Sequence, residues 1–168
     1  MSKKIIVFKT DRVGDLIYFS PCLKNIKDNN KESSITLVCS KYNYQVAKNY
    51  KFVDKFIIID SSSLLISLLK NFRDFFFTKY TYLFQHDGKN RSYLISCFVR
   101  SKIKSTICFV KYKKLLSFSY QVFRPKKFIL KLFFDNFLYC DENYTSDDKR
   151  IHYQTLYFNI LEKLNFHI

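Results

Sequence analysis

The sequence predicts an α/β protein, a parallel sheet flanked by helices, and three observations carry that reading. Short apolar runs recur along the chain: Ile5 to Phe8, Ile35 to Cys39, Phe56 to Ile59, Tyr80 to Phe84 and Thr106 to Val110. Most are continuous rather than alternating, as expected of strands buried on both faces. Stretches with helical spacing separate them, and strands alternating with helices imply crossover units and a parallel sheet.

In chain order, Ile5-Ile6-Val7-Phe8 is the first strand, and it runs into Lys9-Thr10-Asp11-Arg12. Asp15 to Ile26 follows as a helix, with Leu16, Ile17, Phe19, Leu23 and Ile26 as its apolar positions. Ser20-Pro21 suits an N-cap and first helical residue, so the helix is expected to restart or kink there. A short helix over Tyr44 to Lys48 follows the second strand, and one from Ser62 to about Phe76 follows the third. His86-Asp87-Gly88-Lys89 reads as a loop after the fourth strand, and Asn90 to Val99 as a helix before the fifth. Lys111 to Asn143 is aromatic, basic and irregular, and Arg150 to Leu164 is a final amphipathic helix. The whole is a single Rossmann-like domain over residues 1–168, with 111–143 as its irregular segment.

Composition narrows the functional classes. The 168 residues are 48% hydrophobic and 19% aromatic, enough to bury a core. Ala47 is the only alanine and tryptophan is absent, while Lys, Asn, Ile, Phe and Tyr abound. Part of the +15 charge therefore reads as coding bias. The charge is nonetheless uneven: Gly88 to Phe134 holds 12 Lys/Arg and no acid in 47 residues, which points to an anionic partner. Five widely spaced cysteines, without a Cys-x-x-Cys, read as reduced buried thiols. The opening Met-Ser-Lys-Lys leads into too short an apolar run for a signal peptide, and no uncharged run approaches a membrane span. A cytoplasmic location is the expectation.

Chemistry concentrates in the first strand–helix loop, Thr10-Asp11-Arg12-Val13-Gly14-Asp15. Open α/β sheets bind ligands beyond the carboxyl ends of their strands. One glycine excludes a Gly-x-Gly-x-x-Gly dinucleotide turn, and a Gly-Lys-Ser/Thr phosphate loop is missing too. The run Ile5 to Pro21 resembles the opening of glycosyltransferase family nine, the lipopolysaccharide heptosyltransferases. Their signature is an apolar strand, Asp-Arg-(Ile/Val)-Gly-Asp, then an apolar turn ending in (Thr/Ser)-Pro. Tyr82 to Ser92 resembles the family's strand and Gly-x-x-Arg-Ser turn, and His152 to Leu164 its His-x-x-x-x-Tyr-x-x-Leu-Leu-x-x-Leu helix. Gly14, Gly88 and Pro21 all fall on motif positions in a chain with two glycines and two prolines.

That resemblance implies an inverting, metal-independent sugar transferase of the GT-B class, of which this chain is the N-terminal, acceptor-side half. No cofactor or metal is expected; the donor, ADP-heptose or a related nucleotide sugar, is expected on a C-terminal domain beyond this sequence. Asp15 is then the general base for an acceptor hydroxyl, although on residue type alone it reads first as a helix cap. Thr10, Asp11, Arg12, Val13 and Gly14 are expected to line the acceptor, with Asp11–Arg12 as an ion pair being the alternative. Arg91 is expected at an acceptor phosphate or carboxylate, with a surface role as the alternative, and Ser92 is expected beside it among the substrate-binding residues. His86 and Asp87 occupy a strand end where ligand contacts arise, and His152 reads as structural.

Expected partners are a glycolipid acceptor, a separate donor-domain chain and the anionic inner face of the cytoplasmic membrane. Lys111, Lys113, Lys114, Arg124, Lys126 and Lys127 are the expected membrane contacts. Two other readings stand beside this: an inactive relic or split-enzyme subunit, and a basic nucleic-acid binder, which no RNA- or zinc-type motif supports.

Overall fold

The computed structural model describes residues 3–60, 63–110, 112–115, 118–121, 126–141 and 153–167. Six parallel strands form one sheet, of the Rossmann-like α/β kind. In chain order the elements are β1 (Lys4–Lys9), α1 (Val13–Asn29), β2 (Ser34–Ser40), α2 (Lys41–Ala47), β3 (Lys55–Ile59) and α3 (Leu64–Lys70). A π-helical turn (Arg73–Phe77) leads to β4 (Tyr80–Gln85), α4 (Asn90–Phe98) and β5 (Ser101–Val110). β6 (Tyr112–Leu115) and β7 (Phe118–Gln121) pair antiparallel as a separate ribbon. α5 (Lys127–Phe133), β8 (Asn136–Asp141) and α6 (Tyr153–Lys163) complete the chain.

The sheet order is β3-β2-β1-β4-β5-β8. From β1 the chain first winds outward through β2 and β3, then returns to β4 on the other side. The gap between β1 and β4 is therefore the topological switch point, where such sheets bind ligands. β1 shows why it is central. Ile5 and Val7 pack with Leu16, Phe19, Leu23 and Tyr157 on one face. Ile6 and Phe8 pack with Phe75, Leu83, Tyr93 and Leu130 on the other. An apolar residue at every position is what burial on both faces demands.

The structure departs from the sequence reading in four places. α1 runs unbroken through Pro21, where a restart was expected. Proline removes the N–H that would bond to Ile17 O, and the Ser20 hydroxyl donates to that oxygen instead, at 2.8 Å. Second, the helix expected from Ser62 to Phe76 is α3 followed by the π-helical turn, which brings Phe75 into the core against Phe8. Third, β5 begins at Ser101 rather than Thr106, because its polar first half still pairs with β4 from Tyr80 onward. Finally, the stretch 111–143 holds the β6–β7 ribbon, α5 and the sixth strand, β8. Its elements are short and aromatic throughout, so no period marks them.

The two glycines differ in what holds them. Gly88 sits at φ +60°, and a β-carbon there would lie 3.0 Å from Phe109 Cδ2. Gly14 has neither constraint: a β-carbon would meet nothing within 4 Å. Gly88→Ala should therefore cost about 1–2 kcal/mol, whereas Gly14→Ala should gain up to about 1 kcal/mol of helix propensity. Urea unfolding of both variants checks the contrast, and equal effects would contradict it.

Candidate functional site

The carboxyl ends of β1 and β4 meet over a buried polar cluster. Lys9, the last residue of β1, is fully buried. Its ammonium donates to Asp11 Oδ2 at 2.7 Å, Tyr157 Oη at 2.9 Å and the His86 carbonyl at 3.0 Å. Burial works against that charge, but the Asp11 carboxylate and the Tyr157 hydroxyl outweigh it, and the Lys9 pKa is raised. The ammonium also lies 4.9 Å from the Tyr157 ring centroid. A buried cation held by three oxygens locks the end of β1 to α6 and to β4.

Asp87 organises the second half. Its Oδ2 accepts from the Thr10 hydroxyl at 2.6 Å, the Ser92 hydroxyl at 2.6 Å and Thr10 N at 3.1 Å. Its Oδ1 accepts from Gln85 Nε2 at 2.6 Å and Lys89 N at 3.0 Å. Gln85 in turn accepts from Thr106 on β5, and Asn43 Nδ2 of α2 donates to Lys9 O at 2.9 Å. These bonds tie the loop after β1 to the start of α4, so the loop has little freedom to move.

His86 lies inside the same region. It is fully buried between Phe19, Phe84 and Tyr157, with ring centroids 5.6–5.7 Å away. Neither ring nitrogen has a hydrogen-bond partner among the described residues. Burial, with the Lys9 charge adding to it, lowers its pKa to about 3, so it is neutral.

The predicted residues divide into inward and outward groups. Thr10 and Ser92 are buried and their hydroxyls are engaged with Asp87. Asp11 pairs with Lys9 and not with Arg12, so the alternative of an Asp11–Arg12 ion pair does not form: Arg12 is exposed, while Lys9 lies beneath the loop. Asp11 Oδ1 is buried without a partner, and burial raises the carboxyl to about 7 against the opposing pull of Lys9. Arg12, Val13, Gly14 and Asp15 form the outer lip where α1 begins.

Asp15 is half-buried in the first turn of α1. It makes no hydrogen bond or ion pair with the described residues, and Arg12 occupies the cap position without a side-chain cap. Asp15 thus does not cap the helix through a hydrogen bond. Arg91 stands in the first turn of α4, and its Nε is buried and unpartnered. Lys113 and Lys114 lie on β6, and Lys126 and Lys127 flank the start of α5, both exposed. Lys111, Arg124 and His152 lie outside the described residues.

Sequence reasoning missed Lys9, Asn43 and Tyr157 as members of this site. Two signals were present: Lys9 directly follows an apolar strand, and Tyr157 falls on the tyrosine of the His-x-x-x-x-Tyr helix motif. The five cysteines are free, and burial pushes the Cys22 and Cys39 thiols up to about 12, so neither supplies a nucleophile at neutral pH. Among the described residues, no three His, Cys, Asp or Glu side chains are grouped to hold a metal ion.

This sheet order, with its polar cluster at the switch point, defines a Rossmann-like α/β unit. Solved structures similar to it include a family 9 glycosyltransferase and a heptosyltransferase. The glycosyl transferase family 9 structure from Veillonella parvula DSM 2008 matches 99% of this chain and 43% of its own, with 19% identity and a TM-score of 0.69. The E. coli heptosyltransferase WaaC with ADP matches 98% of this chain and 48% of its own, at 12% identity and a TM-score of 0.65. WaaC with ADP-2-deoxy-2-fluoro heptose gives 11% identity and a TM-score of 0.64. The chain therefore spans about half the length of the structures it matches. No family model matches the sequence, and no curated protein matches it.

Proposed function

We propose that this chain is the acceptor-side half of a heptosyltransferase-like enzyme, which transfers a sugar from a nucleotide sugar to an anionic glycolipid. One observation carries the reading. At the switch point, the inner side chains Thr10 and Asp11 are held by Asp87 and Lys9, while Asp15 is left half-exposed and unbonded. A carboxylate free of internal partners, on a rigid loop, is suited to accept a proton from a ligand hydroxyl. As the acceptor oxygen attacks the anomeric carbon, its proton passes to Asp15. The bond from that carbon to the nucleoside diphosphate breaks on the opposite face, inverting the configuration.

The other outward groups fit the same task. Gly14 leaves open space above the loop where an acceptor sugar approaches closely. Arg91, with its unpartnered Nε at the start of α4, takes an acceptor phosphate or carboxylate. Thr10 and Ser92 act through Asp87, holding the loop that carries these groups. The nucleotide sugar, ADP-heptose or a relative, is held by a donor-side part of the kind that accounts for the rest of the neighbours' length. The enzyme works at the cytoplasmic face of the membrane, where Lys111, Lys113, Lys114, Arg124, Lys126 and Lys127 meet anionic lipid.

Calorimetry tests the division of labour. The isolated chain should show no micromolar binding of ADP-heptose, yet bind an anionic glycolipid acceptor in detergent micelles. Arg91→Ala should weaken acceptor binding roughly tenfold or more, the scale of one lost charge-assisted hydrogen bond. Tight ADP-heptose binding by this chain would reverse the assignment of the two halves.

A further inference from the structure

The helices on the α3–α4 side leave large apolar side chains uncovered. Leu65, Leu69 and Phe72 follow one another at helical spacing, and Leu94 and Phe98 do the same on α4. With Phe77 they are between 47% and 69% exposed. Ring contacts join the phenylalanines into one surface: Phe76 lies 4.7 Å from Phe72 and 6.4 Å from Phe98, and Phe72 lies 5.5 Å from Phe77. A contiguous apolar patch of this kind marks an interaction site.

Its surroundings say what covers it. A cleft of about 540 Å³ opens beside Phe98, lined by Lys79, Arg100, Lys102 and Lys104. From residue 61 to 135 the chain has 15 Lys/Arg and three acids, Asp74, Asp87 and Asp135, the last accepting from the Lys104 backbone N–H at 2.7 Å. Asp74 is paired with Lys55, and Asp87 is buried at the opposite end of β4. A second copy of the chain laid face to face would press like charges together. Aromatic and leucine side chains beside predominantly positive charge instead match a bilayer surface rich in anionic phospholipid.

We propose that the α3–α4 face, with the cleft between Lys79 and Lys104, docks the protein flat onto an anionic membrane. Phe72, Phe77 and Phe98 enter the interface, and the cleft takes a lipid headgroup phosphate. No helix among the described residues is long and apolar enough to cross a membrane, so the contact is peripheral there. This surface is distinct from the Lys111–Lys127 segment and does not depend on the sugar-transfer reading. Lying on this face, the sheet keeps its carboxyl edge in the plane of the membrane rather than turned away from it.

The chain has no tryptophan, so a single introduced one reports without background. Phe77→Trp emission should shift to the blue with vesicles of phosphatidylcholine and phosphatidylglycerol, and stay unshifted with phosphatidylcholine alone. Tyr42→Trp, on exposed α2 across the sheet, should not shift with either. Each basic residue near an anionic surface is worth about fivefold in partitioning, so Arg100→Gln/Lys102→Gln should weaken vesicle sedimentation roughly 20-fold. Phe77→Ser/Phe98→Ser should weaken it at least tenfold. Circular dichroism melts establish that each variant folds. An unshifted Phe77→Trp spectrum, or full vesicle binding by both double variants, overturns the proposal. So does light scattering that shows a dimer dispersed by Phe98→Ser, which would assign the face to a second copy.

Discussion

Asp15→Asn should abolish most sugar transfer when this chain is joined to, or mixed with, a matching donor half. General-base catalysis typically contributes about 10²- to 10⁴-fold, and the amide keeps the size of the side chain but cannot take the proton. Folding should hardly change. Asp15 has no hydrogen bond to lose, and its charge in the first turn of α1 is worth about 0.3–1 kcal/mol against the helix dipole. Burial is the chief cause of the raised pKa of Asp11 and of Tyr157, and the Asp15 charge adds a small part, so removing it relieves some repulsion. The melting temperature should therefore move by no more than roughly 2–4 °C. Asp11→Asn is the informative companion, because Asp11 is the carboxylate bonded to Lys9. A folded Asp15→Asn enzyme with full activity, beside an inactive but folded Asp11→Asn, would move the base from one end of the loop to the other.

The loop itself was legible because its information is local. Four apolar residues end at Lys9, and the Asp-Arg-Val-Gly-Asp motif follows at once, so strand, turn and helix are read without distant contacts. What the loop rests on was not legible. Lys9 is bonded to Tyr157, 148 residues away, and Thr10 to Asp87, 77 residues away. Nothing in the neighbourhood of either residue announces the other. His86 reads in sequence as a strand-end ligand group, yet the fold packs it among aromatic rings. The apolar spacing from Leu64 to Phe77 gives a helix, but the same spacing serves a core stripe and an exposed patch. Only the sheet's position shows that Phe75 points in while Phe72 and Phe77 stay out.

Burial of Asp11 and His86 should also make stability respond to pH in opposite directions, and two variants should separate them. Asp11 is raised from 3.8 to about 7, chiefly by burial, so between those values the folded protein holds a proton that the unfolded chain releases. Stability from this group is greatest at low pH and falls as pH rises through that interval. His86 is lowered from 6.5 to about 3, again chiefly by burial, so there the unfolded chain holds the extra proton. Its contribution falls as pH drops below 6.5. At about 1.4 kcal/mol per pH unit, each interval is worth on the order of 4 kcal/mol, and between about pH 4 and 6.5 the two nearly cancel. Asp11→Asn should leave His86 unopposed, so its stability relative to the parent falls as pH is lowered from 6.5 to 4. His86→Phe should do the reverse and gain stability over the same range. Its ring nitrogens have no partners among the described residues, so phenylalanine strands no hydrogen bond. Urea unfolding of the three proteins at several pH values measures the differences, in which every other carboxylate cancels. Parallel pH curves for the two variants would mean that neither group is held as far from its ordinary value as the buried cluster requires.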